Sequence, residues 1–302
     1  MTSRASRRLL LVLAVSAALG LALAARGGDF TFGPRIALVP LSGEIKESDA
    51  FVERLETLAR DDRIKAVVLR IDSPGGAVGP SQEMYTAVRA LSQSKPVIAS
   101  LGSVAASGGY YVACAADIVV ANPGTLTGSV GVIIPVIDVA GLLDKLGVKA
   151  EMLTAGKRKA MGSSFRALSA EERTIFQSML DDIQEQFLDA VTETRKLTPA
   201  QLSDVRTARI YTGEQAMKIG LVDEMGGLED AVRIAAERAG IKGEPRVQRI
   251  EVDDRPWWWA LVAESRVASG NLLGGIASLL GSSREPQLRL PLALDGARAE
   301  LP

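Results

Sequence analysis

The sequence predicts an α/β fold in which helices cross over a largely parallel sheet. Three observations carry that prediction. From Arg35 onward, short apolar runs rich in β-branched residues alternate with stretches of helical periodicity. Glycine pairs, in SPGG and ASGG, stand between such a run and the helix that follows it. The 302 residues are 47% hydrophobic, enough for a sizeable core in one large domain or two small ones.

The pattern starts late. MTSRASRR sets Arg4, Arg7 and Arg8 ahead of the apolar run LLLVLAVSAALGLALAA, residues 9–25. As a helix that run spans about 25 Å, the short end of what crosses a bilayer. Positive charge before it predicts residues 1–8 as a cytoplasmic basic n-region, with the body on the far side of the membrane. The run is a retained transmembrane signal anchor or, given Ala22-Leu23-Ala24, a cleaved signal peptide. RGGDFTFGP, residues 26–34, reads as a linker.

Within residues 35–254, expected as one domain, RIALVPLSG is a strand. SDAFVERLETLARDD is a helix with Ser48 as N-cap and Val52, Leu55 and Leu58 on one face. IKAVVLRID is a strand, SPGGAVGP a turn and SQEMYTAVRALSQS a helix. KPVIASLGS is a strand leading into the short helix of AASGGYYVACAAD, and DIVVAN is the strand after it. GSVGVIIPVIDV reads as a further strand, AGLLDKLG as a helix and VKAEMLT as a strand. Ser169 and Glu172 form a capping-box pattern. It opens a long helix reaching about Lys196, with Ile175, Met179, Ile183, Phe187 and Val191 at three-to-four-residue spacing. Such a helix packs on its own sheet or reaches a neighbouring subunit.

Thr198-Pro199 restarts a shorter helix. ARIYTGEQAMKIGLVDEMGGLEDAVRIAAERAG adds a strand and two helices, and EPRVQRIEV is a terminal strand. Residues 255–283 hold all three tryptophans before a leucine and small-residue helical pattern. A membrane-proximal segment and an oligomer contact both fit that composition. Residues 284–302 read as a flexible tail.

Composition narrows the chemistry. A net charge of −1 gives no pull toward nucleic acid. The single cysteine, Cys114, excludes an intrachain disulfide. No histidine is present. That excludes Ser-His-Asp triads, histidine-ligated zinc and histidine general bases, and no metal or other cofactor is expected.

The candidate nucleophile is Ser107, in GSVAASGGYYVACAA. It stands where a strand ends and a helix begins, among unpaired N–H groups. Gly108 and Gly109 let a substrate carbonyl come close. The Gly108 N–H can serve as one oxyanion donor, and Gly75 or Gly76 of DSPGG as a second. The bland reading of the same serine is a helix cap. Without histidine the base falls to lysine, which must lose its proton through burial. Lys157 and Lys159 of LTAGKRKAMGSSF are the candidates, and solvation is the default for a loop lysine. Cys114 reads as a buried core residue, Tyr110 and Tyr111 as packing beside the turn, and Asp72 as a cap of the glycine turn.

At LRIDSPGG, GSVAASGGYYVACAAD, PGTLTGSVGVI and AGKRKAMGSSFRALSAEER the chain resembles the bacterial signal peptide peptidase family, in its short form. These are membrane-anchored serine proteases with a Ser-Lys dyad, and their fold is similar to that of Clp protease and the crotonases. The likeness runs in order from about Arg35 to Gly240. It implies a crotonase/Clp protease-like core of repeated β-α units. By motif, the nucleophile falls on Ser107, the general base on Lys159, and a lysine-orienting serine on Ser129. The oxyanion donors fall on Gly108 and on Gly75 and Gly76. The resemblance also implies a ring-shaped homo-oligomer with sites shared between subunits. Its substrates would be signal peptides and short hydrophobic peptides, cleaved at the bacterial cytoplasmic membrane by a single-pass enzyme facing the extracytoplasmic side. Arg158 departs from the family, which often carries an aromatic residue before the lysine; it is expected to point to solvent.

Two other classes share parts of this pattern. A crotonase-like acyl-CoA enzyme would use the same two-donor oxyanion hole, and CoA thioester binding would reveal it. A non-catalytic membrane scaffold would keep the fold without labelling by a serine-reactive inhibitor.

Overall fold

The structure, a computed structural model, describes residues 33–250. The basic n-region, the run at 9–25, most of the linker, the Trp-rich segment and the tail lie outside the described residues. Eight strands form one sheet: β1 (Arg35–Ile45), β2 (Ile64–Gly76), β3 (Val97–Ala106), β4 (Ile118–Ala121), β5 (Leu126–Gly128), β6 (Ile210–Thr212), β7 (Glu224–Met225) and β8 (Arg246–Arg249). The main path runs β6-β5-β3-β2-β1-β8, with β4 beside β3 and β7 beside β4. Every pairing is parallel except β5 with β6. The helices are α1 (Asp49–Arg60), α2 (Val78–Ser92), α3 (Gly108–Cys114), α4 (Ala140–Lys145), α5 (Ala170–Thr194), α6 (Pro199–Val205), α7 (Gly213–Lys218) and α8 (Leu228–Arg238).

The apolar runs are continuous because both sheet faces are covered. Successive side chains of β1 go to opposite cores. Ala37, Val39 and Leu41 join Phe51 and Leu55 of α1, Met84 and Val88 of α2, and Phe187 and Val191 of α5. Ile36 and Leu38 join Ala231, Ile234 and Ala235 of α8. Each fully buried leucine or isoleucine in these layers contributes about 1.5–3 kcal/mol of transfer free energy.

Most elements follow the sequence reading. The capping box expected for the long helix forms, Ser169 with Glu172, and the next helix, which Thr198-Pro199 starts, has one too, Thr198 with Gln201. Ser48 is at the N-cap of α1 but does not cap it; its hydroxyl donates to Glu83 instead. On α1 the buried residues are Phe51, Leu55 and Leu58, not Val52.

Four departures matter. The SPGG segment is no free turn: β2 runs through it, because Gly75 and Gly76 pair with Glu44 and Ile45 of β1. GSVGVIIPVIDV is not a strand beyond Gly128. Gly128 and Ser129 have φ of 81° and 54°, which ends the extended conformation at once. VKAEMLT is not a strand either, and its side chains are exposed. β-branched residues there record apolar character without a sheet edge to join. Finally, the apolar side chains that α5 buries all lie in its C-terminal half, Phe187, Leu188, Ala190 and Val191, while Met179 is exposed.

Candidate active site

Strand β3 forks. Ile98–Ser100 pair with β4, whereas Val104–Ala106 pair with β5. Ser107 stands at the tip of the second branch. Its backbone has φ 51° and ψ −125°, a conformation costly for any residue with a Cβ. The Ser107 N–H donates to the Gly128 carbonyl at 2.9 Å, and its own carbonyl accepts from Tyr111 N–H at 2.9 Å. The hydroxyl makes no capping bond to α3. The bland role of a helix-start serine is therefore not the one it fills.

The turn is held from below. A methyl group on Gly75, whose φ is 96°, would sit 2.6 Å from Gly108 N and 2.9 Å from Ser107 Cβ. No side chain larger than hydrogen fits between the end of β2 and the start of α3. The Gly75 N–H donates to Ser73 Oγ at 3.1 Å. Gly76 N lies 3.3 Å from where a Cβ of Gly108 would be. Of the two glycines, Gly76 is thus the one whose N–H is not engaged by Ser73. Gly108 N opens α3 and has no intrahelical acceptor.

Beside Ser107 is a small pocket lined by Ser81, Gly108, Tyr111, Val132, Ile183 and Phe187. The Tyr111 ring stacks on Phe187 at 4.3 Å and meets Tyr85 edge-on at 5.3 Å. Nothing in the spacing of Ile183 and Phe187 distinguished pocket wall from core; only the packing of α5 does so.

Helix α3 is anchored deep in the sheet. Tyr110 Oη donates to the Leu221 carbonyl at 2.7 Å, and burial pushes its phenol pKa well up. Arg195, fully buried, donates through Nη2 to the carbonyls of Ala116 at 2.7 Å and Cys114 at 3.1 Å, and through Nη1 to Asp223 at 2.5 Å. Sequence reading missed this arginine, since a charge near a helix end reads as solvated. Cys114 is buried, donates to the Tyr111 carbonyl, and burial pushes its thiol pKa up to about 12. Asp72 accepts from Val104 N–H at 3.1 Å, so it ties β2 to β3 instead of capping the glycine turn.

Ser129 follows β5 as Ser107 follows β3. Its N–H donates to the Arg209 carbonyl at 2.9 Å. Lys159 lies elsewhere, exposed in the turn at 155–162, where its N–H bonds the Gly156 carbonyl at 3.1 Å. Within one chain the structure brings together Ser107, Ser129, Gly108, Gly75 and Gly76. Among the described residues Lys159 makes no hydrogen bond to Ser107 or Ser129. Arg158 pairs with Glu171 at 2.7 Å on the outer surface.

The sequence profile of peptidase family S49 matches residues 89–242, half of the chain. The chain belongs to peptidase family S49. The profile of Clp protease matches residues 17–125, in keeping with the parallel β-α core, so the peptidase has the Clp protease/crotonase-like fold. A candidate protease of Synechocystis sp. is 38% identical over 221 residues, covering 72% of this chain and 78% of its own. A candidate protease of Methanocaldococcus jannaschii is 32% identical over 255 residues, covering 80% and 82%. The chloroplastic serine protease SPPA of Arabidopsis thaliana is 36% identical over 216 residues, covering 70% of this chain but 32% of the plant protein. The S49 chain is a serine peptidase. Among its described residues no helix is long and apolar enough to cross a membrane.

Proposed function

We propose that this peptidase hydrolyses signal peptides and other short apolar peptides with Ser107 as nucleophile and Lys159 as general base. The carrying observation is the Ser107 turn: an uncapped hydroxyl, a free Gly108 N–H beside it and an apolar pocket against it. A peptide bond enters with an apolar side chain between Tyr111, Ile183 and Phe187. Ser107 Oγ attacks the carbonyl carbon as Lys159 Nζ takes its proton. The oxyanion is met by the N–H groups of Gly108 and Gly76. The intermediate collapses, the proton passes from the lysine to the leaving amine, and the C–N bond breaks. Water then attacks the acyl-enzyme, and the Ser107 hydroxyl is restored as the acid product leaves.

In this reading Lys159, exposed and bonded to neither serine in the single chain, comes from a second copy. That reading is supported by the apolar side chains exposed ahead of it, among them Ile133, Ile137, Leu142, Leu146 and Leu153. Such a surface belongs to an interface. Each subunit then gives its lysine to a neighbour and takes its serine site to another, and ring closure follows if the rotation closes. Ser129, next to Ser107, would accept or donate a hydrogen bond to that incoming lysine. Residues 9–25 would place the enzyme at the membrane where its substrates lie.

Mixing Ser107→Ala chains with Lys159→Ala chains tests this. Each variant alone loses hydrolysis, and verified mixed assemblies regain part of it. Full activity in either single variant defeats the dyad; no recovery in the mixture defeats the shared site.

A further inference from the structure

The turn that carries Lys159 is tied on both sides to the head of α5. On one side Glu171 accepts from Arg158 Nη2 at 2.7 Å and lies 3.8 Å from Lys157 Nζ. On the other, Arg166 Nη2 donates to the Ala160 carbonyl at 3.1 Å. The same guanidinium binds Glu172 with both its terminal nitrogens, Nη1 to Oε2 at 2.7 Å and Nη2 to Oε1. Glu172 is also the N3 residue of the α5 capping box, accepting from Ser169 N–H at 2.9 Å. One carboxylate therefore fixes both the helix start and the arginine that grips Ala160. Lys159, between the two grips, has no ion pair among the described residues.

That pattern has a chemical use. A lysine serves as a base only when neutral, and a carboxylate in reach would favour its charged form. The charged groups around this turn are Lys157, Arg158, Arg166, Glu171 and Glu172. Both acids are engaged elsewhere: Glu171 by Arg158 and Lys157, and Glu172 by the Arg166 fork and the Ser169 N–H. We propose that Arg166, held by Glu172, is a positioning residue for the Lys159 turn, and that the two carboxylates heading α5 fix that turn while leaving Lys159 without an acidic partner. The proposal rests on the reading of Lys159 as the base.

The test uses the full-length enzyme as Arg166→Met, Arg166→Lys and Glu172→Gln. Glutamine keeps the capping box but loses the charged fork, so it carries the test should Arg166→Met fail to fold. Expected is a fall in kcat of about 10- to 100-fold for Arg166→Met, the range of a misplaced catalytic group, with KM within about twofold. The shape of the pH–kcat/KM profile changes as well, because a displaced lysine meets a different set of charges in the assembled site. Arg166→Lys recovers part of kcat, as one ammonium cannot reproduce the fork. Unchanged kcat and pH profile overturn the proposal. So does a loss uniform in pH that tracks the folded fraction by circular dichroism. Lys159→Ala separates the two readings. If it keeps full activity, the base assignment itself fails; if it is inactive while Arg166→Met behaves as wild type, only the positioning role fails.

Discussion

Ser107 and Ser129 leave neighbouring parallel strands at the same level, each with a positive φ. Ala106 is paired with Gly128, and the next residues have φ of 51° and 54°. The Ser107 N–H bonds the Gly128 carbonyl across the gap. Two serines thus follow paired positions at the ends of adjacent strands. If Ser107 is the nucleophile and Ser129 orients the base, their alanine variants separate. Ser107→Ala abolishes both turnover and labelling by a serine-reactive probe. Ser129→Ala keeps labelling but slows turnover about 10- to 100-fold. Equal loss of labelling in both would assign Ser129 a different role.

Gly75 is predicted to be intolerant of any side chain. Its φ of 96° and the 2.6 Å approach of a Cβ to Gly108 N act together. Gly75→Ala should cost about 1–3 kcal/mol in denaturant unfolding and displace the oxyanion donor, lowering probe labelling. Gly79→Ala is the control, because a methyl there meets nothing within 4 Å. Its unfolding midpoint should not fall.

Arg195→Met should be among the more damaging single substitutions outside the site. The arginine is buried and satisfies two carbonyls at the end of α3 along with Asp223. Methionine replaces its volume but leaves those carbonyls unpaired. The expected loss is about 3 kcal/mol, measured by urea unfolding at neutral pH. A loss under about 1 kcal/mol would show that water takes the guanidinium's place.

Acid should loosen the head of α5. The Arg166 guanidinium and the Ser169 N–H hold the Glu172 carboxyl at about 2, below its ordinary 4.5. A depressed folded value means the stabilisation is complete above pH 4.5 and is lost as pH falls toward 2. Amide exchange in the first turn of α5 should therefore be slower in wild type than in Glu172→Gln at pH 6. The difference should shrink steadily below pH 4.5. A difference independent of pH would assign the effect to packing.

The β-α alternation was legible because strands covered on both faces must be apolar throughout, as in AVVL of β2 and VIAS of β3. The capping box at Ser169 and the helix start at Thr198-Pro199 were legible because they are local. What was not legible depends on contacts distant in sequence. Gly128 and Ser129 break a β-branched run that continues to Val139, and only the bond from Ser129 N–H to Arg209 shows why. At the site, Ser107 and its glycines could be found from their neighbours in sequence. Arg195 anchors the end of α3 through Cys114 and Ala116, 81 and 79 residues away in sequence, and no local signal announces it. The absence of histidine pointed to Lys157 or Lys159, the resemblance chose Lys159, and in the single chain it makes no bond to Ser107 or Ser129.

The backbone at Ser107 sets stability against use. A φ of 51° with ψ of −125° suits glycine, and a serine is kept there against its own preference. Glycine at this position would relieve that tension, while removing the only hydroxyl at the turn's tip. A copy of this protein freed from selection for hydrolysis would gain by losing its serine first. It would drift toward a sturdier, silent relative with the same fold, so inactive members of such a lineage should be sought among its more heat-resistant chains.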